Sequence, residues 1–190
     1  TEGLVGSEMC IRDSQINVVN RFFMSLKAYQ MIAASIDTLI ERVGKLLSFL
    51  MIVLVCVVLV VVVGRYFFQI GSIALQELIT YLHAAIFILG IAYTLKHDGH
   101  VRVDIFYRDF SQKKKALVNL IGGIFFVLPI SVFILWVCFD YVVASWSILE
   151  TSKENNGLPF VYLLKSLMLV MPILLILQGL TIMLKNLLVL

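Results

Sequence analysis

The sequence is poor in charge. Only 14% of its 190 residues are Asp, Glu, Lys or Arg, against 61% hydrophobic, and mean hydropathy reaches +1.01. That imbalance excludes a water-soluble domain, because a single core of this size leaves much of the chain facing water. Histidine and cysteine are scarce as well, with three of each. Cys56 and Cys138 fall inside apolar runs and Cys10 lies near the start. An odd number without metal-ligand spacing argues against a disulfide framework or a zinc site. Only His83 lies within an apolar run, whereas a b-type haem needs two axial ligands on facing helices. A net charge of +3 with no basic stripe gives nucleic acid no support. Also missing are a paired-carboxylate motif, a Gly-rich phosphate loop, a nucleophile elbow and a His-x-x-x-His pair. The expectation is a protein that is not an enzyme and holds no cofactor or metal.

What the sequence does have is long apolar runs. Four uncharged or nearly uncharged stretches, at about 46–64, 78–95, 116–139 and 166–184, each reach the length needed to cross the hydrocarbon layer as a helix. The first is crowded with valine, a poor helix former in water, but in lipid the backbone must bond internally and helix prevails. It is too long and too far into the chain for a signal peptide. The third contains Gly122-Gly123, which allows close helix approach, and Pro129, which can kink it. These runs predict an all-α integral membrane protein with four transmembrane helices and a membrane domain over 46–185.

Ahead of that domain, residues 15–45 have an amphipathic helical pattern. Leu26, Tyr29, Ile32, Ala33, Ile36, Leu39, Ile40 and Val43 recur at three- and four-residue steps, with Lys27, Asp37, Glu41 and Arg42 between them. Such a helix suits the membrane surface or a place alongside its neighbours. Residues 1–14 (TEGLVGSEMCIRDS) lack periodicity and begin without methionine, so they read as a non-native or disordered extension.

Orientation follows from the basic residues. With both termini cytosolic, the inner segments carry twelve Lys and Arg and the outer ones only Arg65, Lys153 and Lys165. That is a strong positive-inside bias. Trp136, Tyr141 and Trp146 then gather near the outer interface, where amphipathic rings settle.

Among polar residues, Glu77 at the mouth of the second run is the first candidate, since ionisable groups at membrane depth are functional hypotheses by default. It shares a helix face with Tyr81. Three readings stand: pairing, with Arg65 or with a partner; a solvated interfacial carboxylate; and an ion-coupling group. His83 reads as a neutral hydrogen-bonded histidine, with a haem or metal ligand as the sharper alternative. In His100-Val-Arg-Val-Asp104, His100, Arg102 and Asp104 face one way if extended. This is either a turn whose Arg102 contributes only to topology, or a clasp pairing Arg102 with Asp104. The loop ETSKENNGLPF (150–160) is a solvated connector or a contact for an external partner.

These residues together carry a resemblance. Arg65-Tyr66, Glu77 followed by Tyr81, Leu89-Gly90 and His100-Val-Arg-Val-Asp104 resemble the small membrane subunit of tripartite ATP-independent periplasmic (TRAP) transporters, the DctQ-type proteins. Glu150, Gly157-Leu158-Pro159, Lys165, Pro172 and Leu177-Gln178-Gly179 are similar too, so that the likeness covers roughly 40–185. The resemblance implies a multi-pass protein of a bacterial inner membrane, acting as the fixed scaffold of a sodium-driven symport system for organic acid uptake. It implies a large DctM-type membrane subunit carrying the substrate and sodium sites, and a DctP-type periplasmic substrate-binding protein. Arg65, Glu77, Tyr81, His100, Arg102 and Asp104 are then expected to organise helix ends and the partner interface without touching substrate. The rival readings are a haem-binding or assembly membrane subunit of a redox complex, disfavoured by the histidine count, and a small stand-alone exporter. The exporter would need a carboxylate inside the first run, which has none.

Overall fold

The computed structural model describes residues 2–100 and 107–190, with side chains described from Gln30 onward. Among the described residues the chain is all-helical. α1 is Glu2–Phe67, α2 Ile73–Lys96, α3 Gln112–Gly122, α4 Leu128–Ser147 and α5 Val161–Leu187. Four helical stretches are long and apolar enough to cross a membrane: Gln30–Phe67, Ile73–Lys96, Gln112–Ser147 and Val161–Leu187. Each contains one of the apolar runs read from the sequence.

The chain divides into two compact units, Thr1–Ile36 and Asp37–Leu190. In the first, the Ser35 hydroxyl donates to the Met31 carbonyl one turn back, 2.9 Å away, so its polarity is satisfied within the helix. The second holds the spans. There α5 is the central helix: 33% of its most apolar stretch is buried, against 6% for the corresponding stretches of the first and second spans. It packs against α2, α3 and α4, burying Pro172, Leu174, Gln178, Gly179, Thr181 and Met183. The other helices leave most of their apolar surface outward, with Phe49, Val55, Leu59, Phe125, Phe133 and Trp136 all more than half exposed. A protein so built needs lipid or another protein around it.

The third span is α3 and α4 joined through a single π turn, Gly123–Val127. The Leu128 N–H donates to the Gly123 carbonyl, five residues back. Pro129 follows immediately. Proline lacks an N–H and its ring clashes with the carbonyl four residues earlier, and a widened turn just before it relieves that conflict. The kink site expected from the sequence is therefore a π turn. Gly123 is buried against α5, where a Cβ would lie 2.8 Å from Met183 Cγ.

Four hydroxyls inside the spans bond to their own helices. Ser48, Thr94, Ser131 and Thr181 each donate to the carbonyl four residues back, over 2.6–3.1 Å. In hydrocarbon every polar group must be satisfied internally, and this is the most local way to do it.

Two helix ends use left-handed caps. After α2, Asp98 has φ 54, the Asp98 N–H donates to Leu95 and the Gly99 N–H to Thr94. After α4, Leu149 has φ 46, with Leu149 N–H donating to Trp146 and Glu150 N–H to Ser145. Both are Schellman turns, which satisfy otherwise orphaned carbonyls. Leucine is a costly residue for this position. It is nonetheless what turns the chain so that Glu150 meets α4 and α5.

Candidate functional site

The polar side chains of the membrane unit gather at its two ends. At one end, called distal here, α2 begins, α4 finishes and α5 begins. At the proximal end lie Asp37 and the ends of α2 and α5.

The distal end is built around Glu77 and the connection 148–160. Ser72 caps α2, its side chain accepting from the Leu75 N–H over 3.4 Å. One turn in, the Glu77 carboxylate accepts from the Leu158 N–H at 2.6 Å and from the Ser152 hydroxyl. The loop that supplies these donors closes on itself. Ser152 N–H donates to Leu158, Gly157 N–H to Glu154, and Glu154 N–H to the Ser152 hydroxyl. Asn156 takes φ 61, a conformation asparagine tolerates better than most residues. Gly157 has no room for a side chain: a Cβ there would lie 2.4 Å from Ser152 Oγ and 2.8 Å from Glu77 Oε1. Gly157→Ala is therefore expected to expel Ser152 and release the loop from Glu77. Proteolytic nicking within 150–160 should then rise several-fold over wild type, and nicking at the wild-type rate would refute the clasp.

Beside this clasp sits a second pair. The Lys165 ammonium donates to the Glu150 carboxylate and lies 4.0 Å from the centre of the Tyr141 ring. Buried Ser145 donates to the same carboxylate at 2.7 Å. Trp146 Nε1 donates to Ser166 at 2.8 Å and stacks edge-on against Tyr162. The Lys165 ammonium, then the Ser145 hydroxyl, hold the Glu150 carboxyl below its ordinary value. A carboxylate depressed in the folded state contributes stability above its unfolded pKa, near 4.3, and loses it as pH falls through the lower folded value. Glu150→Gln is accordingly expected to lower the thermal midpoint at pH 7. At a pH below the folded value it should lie close to wild type. A midpoint deficit that does not shrink with acid would contradict the pairing.

The proximal end holds a network across three helices. The Lys96 ammonium, at the end of α2, donates to Glu41 at 2.6 Å and to the Asp37 carbonyl at 2.9 Å. His97 Nε2 lies 3.2 Å from the same Glu41 carboxylate. Lys185, near the end of α5, meets the Asp37 carboxylate at 2.5 Å. Gln178 Nε2 donates to its other oxygen at 3.4 Å. Below this network α1 and α2 approach closely, with Gly44 against the Tyr93 ring and Leu47 against Gly90. Tyr93 in turn packs on His97, ring centres 4.4 Å apart.

Of the residues singled out from sequence, Glu77 takes part in a built site, but its partners are Ser152 and the Leu158 N–H and not Arg65. Tyr81 lies one turn further on, its hydroxyl buried and without a hydrogen-bond partner among the described residues. Arg65 is exposed at the end of α1, next to Tyr66, Phe67 and Phe68, each more than two-thirds exposed. His83 is exposed and stacks on Phe87. His100 is exposed, and Arg102 and Asp104 lie outside the described residues. Sequence reasoning missed Asp37, Glu41, Lys96, Lys185 and the Gly44–Tyr93 seam. Asp37 and Glu41 are one turn apart on one helix face, and that spacing was the available signal.

Among the described residues, neither end brings together a nucleophile with a base, or a set of metal ligands. Both arrangements are clasps that fix helix ends, the proximal one through ion pairs and the distal one through the Glu150–Lys165 pair and the neutral donors on Glu77. A family model described as tripartite ATP-independent periplasmic transporters, DctQ component, matches residues 54–188. No curated protein and no solved structure matches the chain.

Proposed function

Because this chain belongs to the DctQ component family of the tripartite ATP-independent periplasmic transporters, we propose that it is the non-catalytic scaffold subunit of a sodium-gradient-driven system for organic acid uptake. In this reading it pairs with a DctM-type large membrane subunit that carries the substrate and sodium sites. A DctP-type periplasmic protein delivers the substrate. The setting is a bacterial inner membrane with both termini cytosolic, which makes the proximal end cytosolic and the distal loop periplasmic. The positive-inside count supports that orientation.

The observation that carries the scaffold reading is how the ionisable groups are engaged. Lys96 with Glu41, Lys185 with Asp37, and Lys165 with Glu150 neutralise one another at the two ends. A subunit that carried cations or acids itself would need charges or broken helices near mid-membrane. Here the spans present mostly apolar, outward surfaces, suited to packing against lipid and a larger neighbour. The exposed Arg65 and its three aromatic neighbours are the part of that surface we assign to the partner. Glu77 and Tyr81 organise the distal helix ends. His100, Arg102 and Asp104 are assigned to the proximal partner contact on the sequence pattern alone.

A tagged chain purified in mild detergent from its native host tests the proposal. One large multi-span membrane protein at about equal amount is expected in the mass spectrum. Recovery of the chain alone as a homo-oligomer, or with a coloured redox partner, would overturn it. Within the recovered complex, Arg102→Ala is expected to reduce assembly yield more than substrate affinity. Normal assembly with lost sodium coupling would contradict that role.

A further inference from the structure

A further cavity beside α5 is lined by none of the clasp side chains. It is an open groove of about 450 Å³ between the third span and α5, with Leu95 and His100 from the end of α2 also on its lining. Its walls are apolar, chiefly Phe110, Val118, Phe126, Val127, Ile182 and Met183, and Gly122 and Gly179 deepen its floor. The groove extends along the third span to the π turn. From Lys115 to Val127 is twelve residues, or about 18 Å of helix at 1.5 Å per residue. One leaflet of hydrocarbon, half of a core of about 30 Å, is of similar length.

The mouth of the groove is basic. Tyr107 lines it and donates to Asn119 at 3.2 Å. Lys115 sits 5.5 Å from the Tyr107 ring centre and donates to the Arg108 carbonyl at 3.2 Å. Lys113, Lys114 and the Arg108 side chain are exposed in the same short segment, with Asp109 the one acidic residue between 107 and 115. An apolar trough of leaflet depth ending in a cluster of cations is complementary to one kind of molecule, with an acyl tail and an anionic head. Lipid is also what surrounds a chain with four membrane-spanning helices.

We propose that this groove binds an anionic phospholipid. An acyl chain lies between the π turn and α5, and the phosphate-bearing headgroup meets Lys113, Lys114 and Lys115. Basic clusters at the end of a membrane helix attract anionic headgroups through charge, while depth and shape select the tail. The apolar contact requires open space at Gly122, where a Cβ would meet nothing within 4 Å. A side chain added there starts from open space on the groove lining.

Native mass spectrometry of the full-length chain in detergent, with dioleoyl phosphatidylglycerol or dioleoyl phosphatidylcholine added, tests the proposal. The wild type should retain the anionic lipid at least about fivefold more than the zwitterionic one, the worth of a single well-placed basic residue. Lys113→Gln, Lys114→Gln and Lys115→Gln together should bring the two lipids level. Gly122→Leu should cut retention of both while leaving the thermal midpoint unchanged. Equal retention of the two lipids by wild type, displacement of the anionic lipid by inorganic phosphate, or wild-type retention by Gly122→Leu would each overturn the proposal. So would a photo-crosslinker at position 122, in native membranes, labelling protein and no lipid.

Discussion

Gly44→Leu is expected to be the most damaging single change in the membrane unit. A Cβ at Gly44 would lie 2.2 Å from Tyr93 Cδ2, 2.3 Å from Cε2 and 2.9 Å from Cγ. Rotating the ring cannot relieve this, because Cγ is fixed to the Tyr93 backbone by one further carbon. Either the whole side chain changes rotamer, losing its contact with His97, or α1 and α2 separate. Separation would stretch the bonds of Lys96 to Glu41 and to the Asp37 carbonyl, which depend on the same approach. Overpacking of this kind costs about 1–3 kcal/mol for a small addition, and more for a large one. We therefore expect Gly44→Ala within that range and Gly44→Leu beyond it, read as a fall in the thermal unfolding midpoint in detergent.

Two comparisons keep the expectation specific. Gly64→Ala should be nearly silent, since the added carbon meets only the Ile70 carbonyl, at 3.6 Å. Gly123→Ala should fall between, because the obstructing Met183 is a flexible thioether that can move aside. Gly44→Ala should also be partly rescued by Tyr93→Leu, which vacates the space. Equal effects at positions 44 and 64 would mean that the seam does not hold the two helices.

The four spans were legible in the sequence because hydrocarbon leaves the backbone a single solution. An uncharged run long enough to cross must be helix, whatever its valine content. The clasps were less legible, for a different reason. Glu77 stands out as a carboxylate at the edge of an apolar run, but its donors are the Ser152 hydroxyl and a backbone N–H at Leu158. A serine and a peptide group far along the chain leave no mark in composition or period. Lys96 and Lys185 were visible as topology charges. Their second role depends on Asp37 and Glu41, which looked like the wet face of an amphipathic helix. Both acids are only partly exposed, and each has a basic partner at the end of another helix. Gly44 carried no signal of its own, since a glycine in such a helix is equally consistent with weak propensity. The π turn was half-visible: Pro129 announced a break in regularity, but not that the widening would precede it.

The second large effect is expected at Asp37, and its form is more informative than its size. Gln178 is 1% exposed. Its Nε2 reaches the Asp37 carboxylate, and its Oε1 has no hydrogen-bond partner among the described residues. Asp37→Ala would leave the whole amide buried and unpaired, and would remove the carboxylate facing Lys185. Leaving one buried polar group unsatisfied costs about 1–3 kcal/mol. The Lys185 side chain is 54% exposed, so water can take over its solvation and its loss should add little. Asp37→Asn should therefore be the milder change, because it keeps an acceptor for Gln178 while losing the charge. Gln178→Leu removes the buried amide altogether and should be close to neutral, since replacing a polar group by an apolar one of similar shape avoids the unpaired state. In the Asp37→Ala background, Gln178→Leu should then recover most of the lost stability, a coupling on the order of 1–2 kcal/mol in a double-mutant cycle. Strict additivity would mean that the 3.4 Å contact between Gln178 and Asp37 contributes nothing. The proximal network would then be held by the pairs Lys96 makes with Glu41 and Lys185 with Asp37, without a contribution from the buried amide.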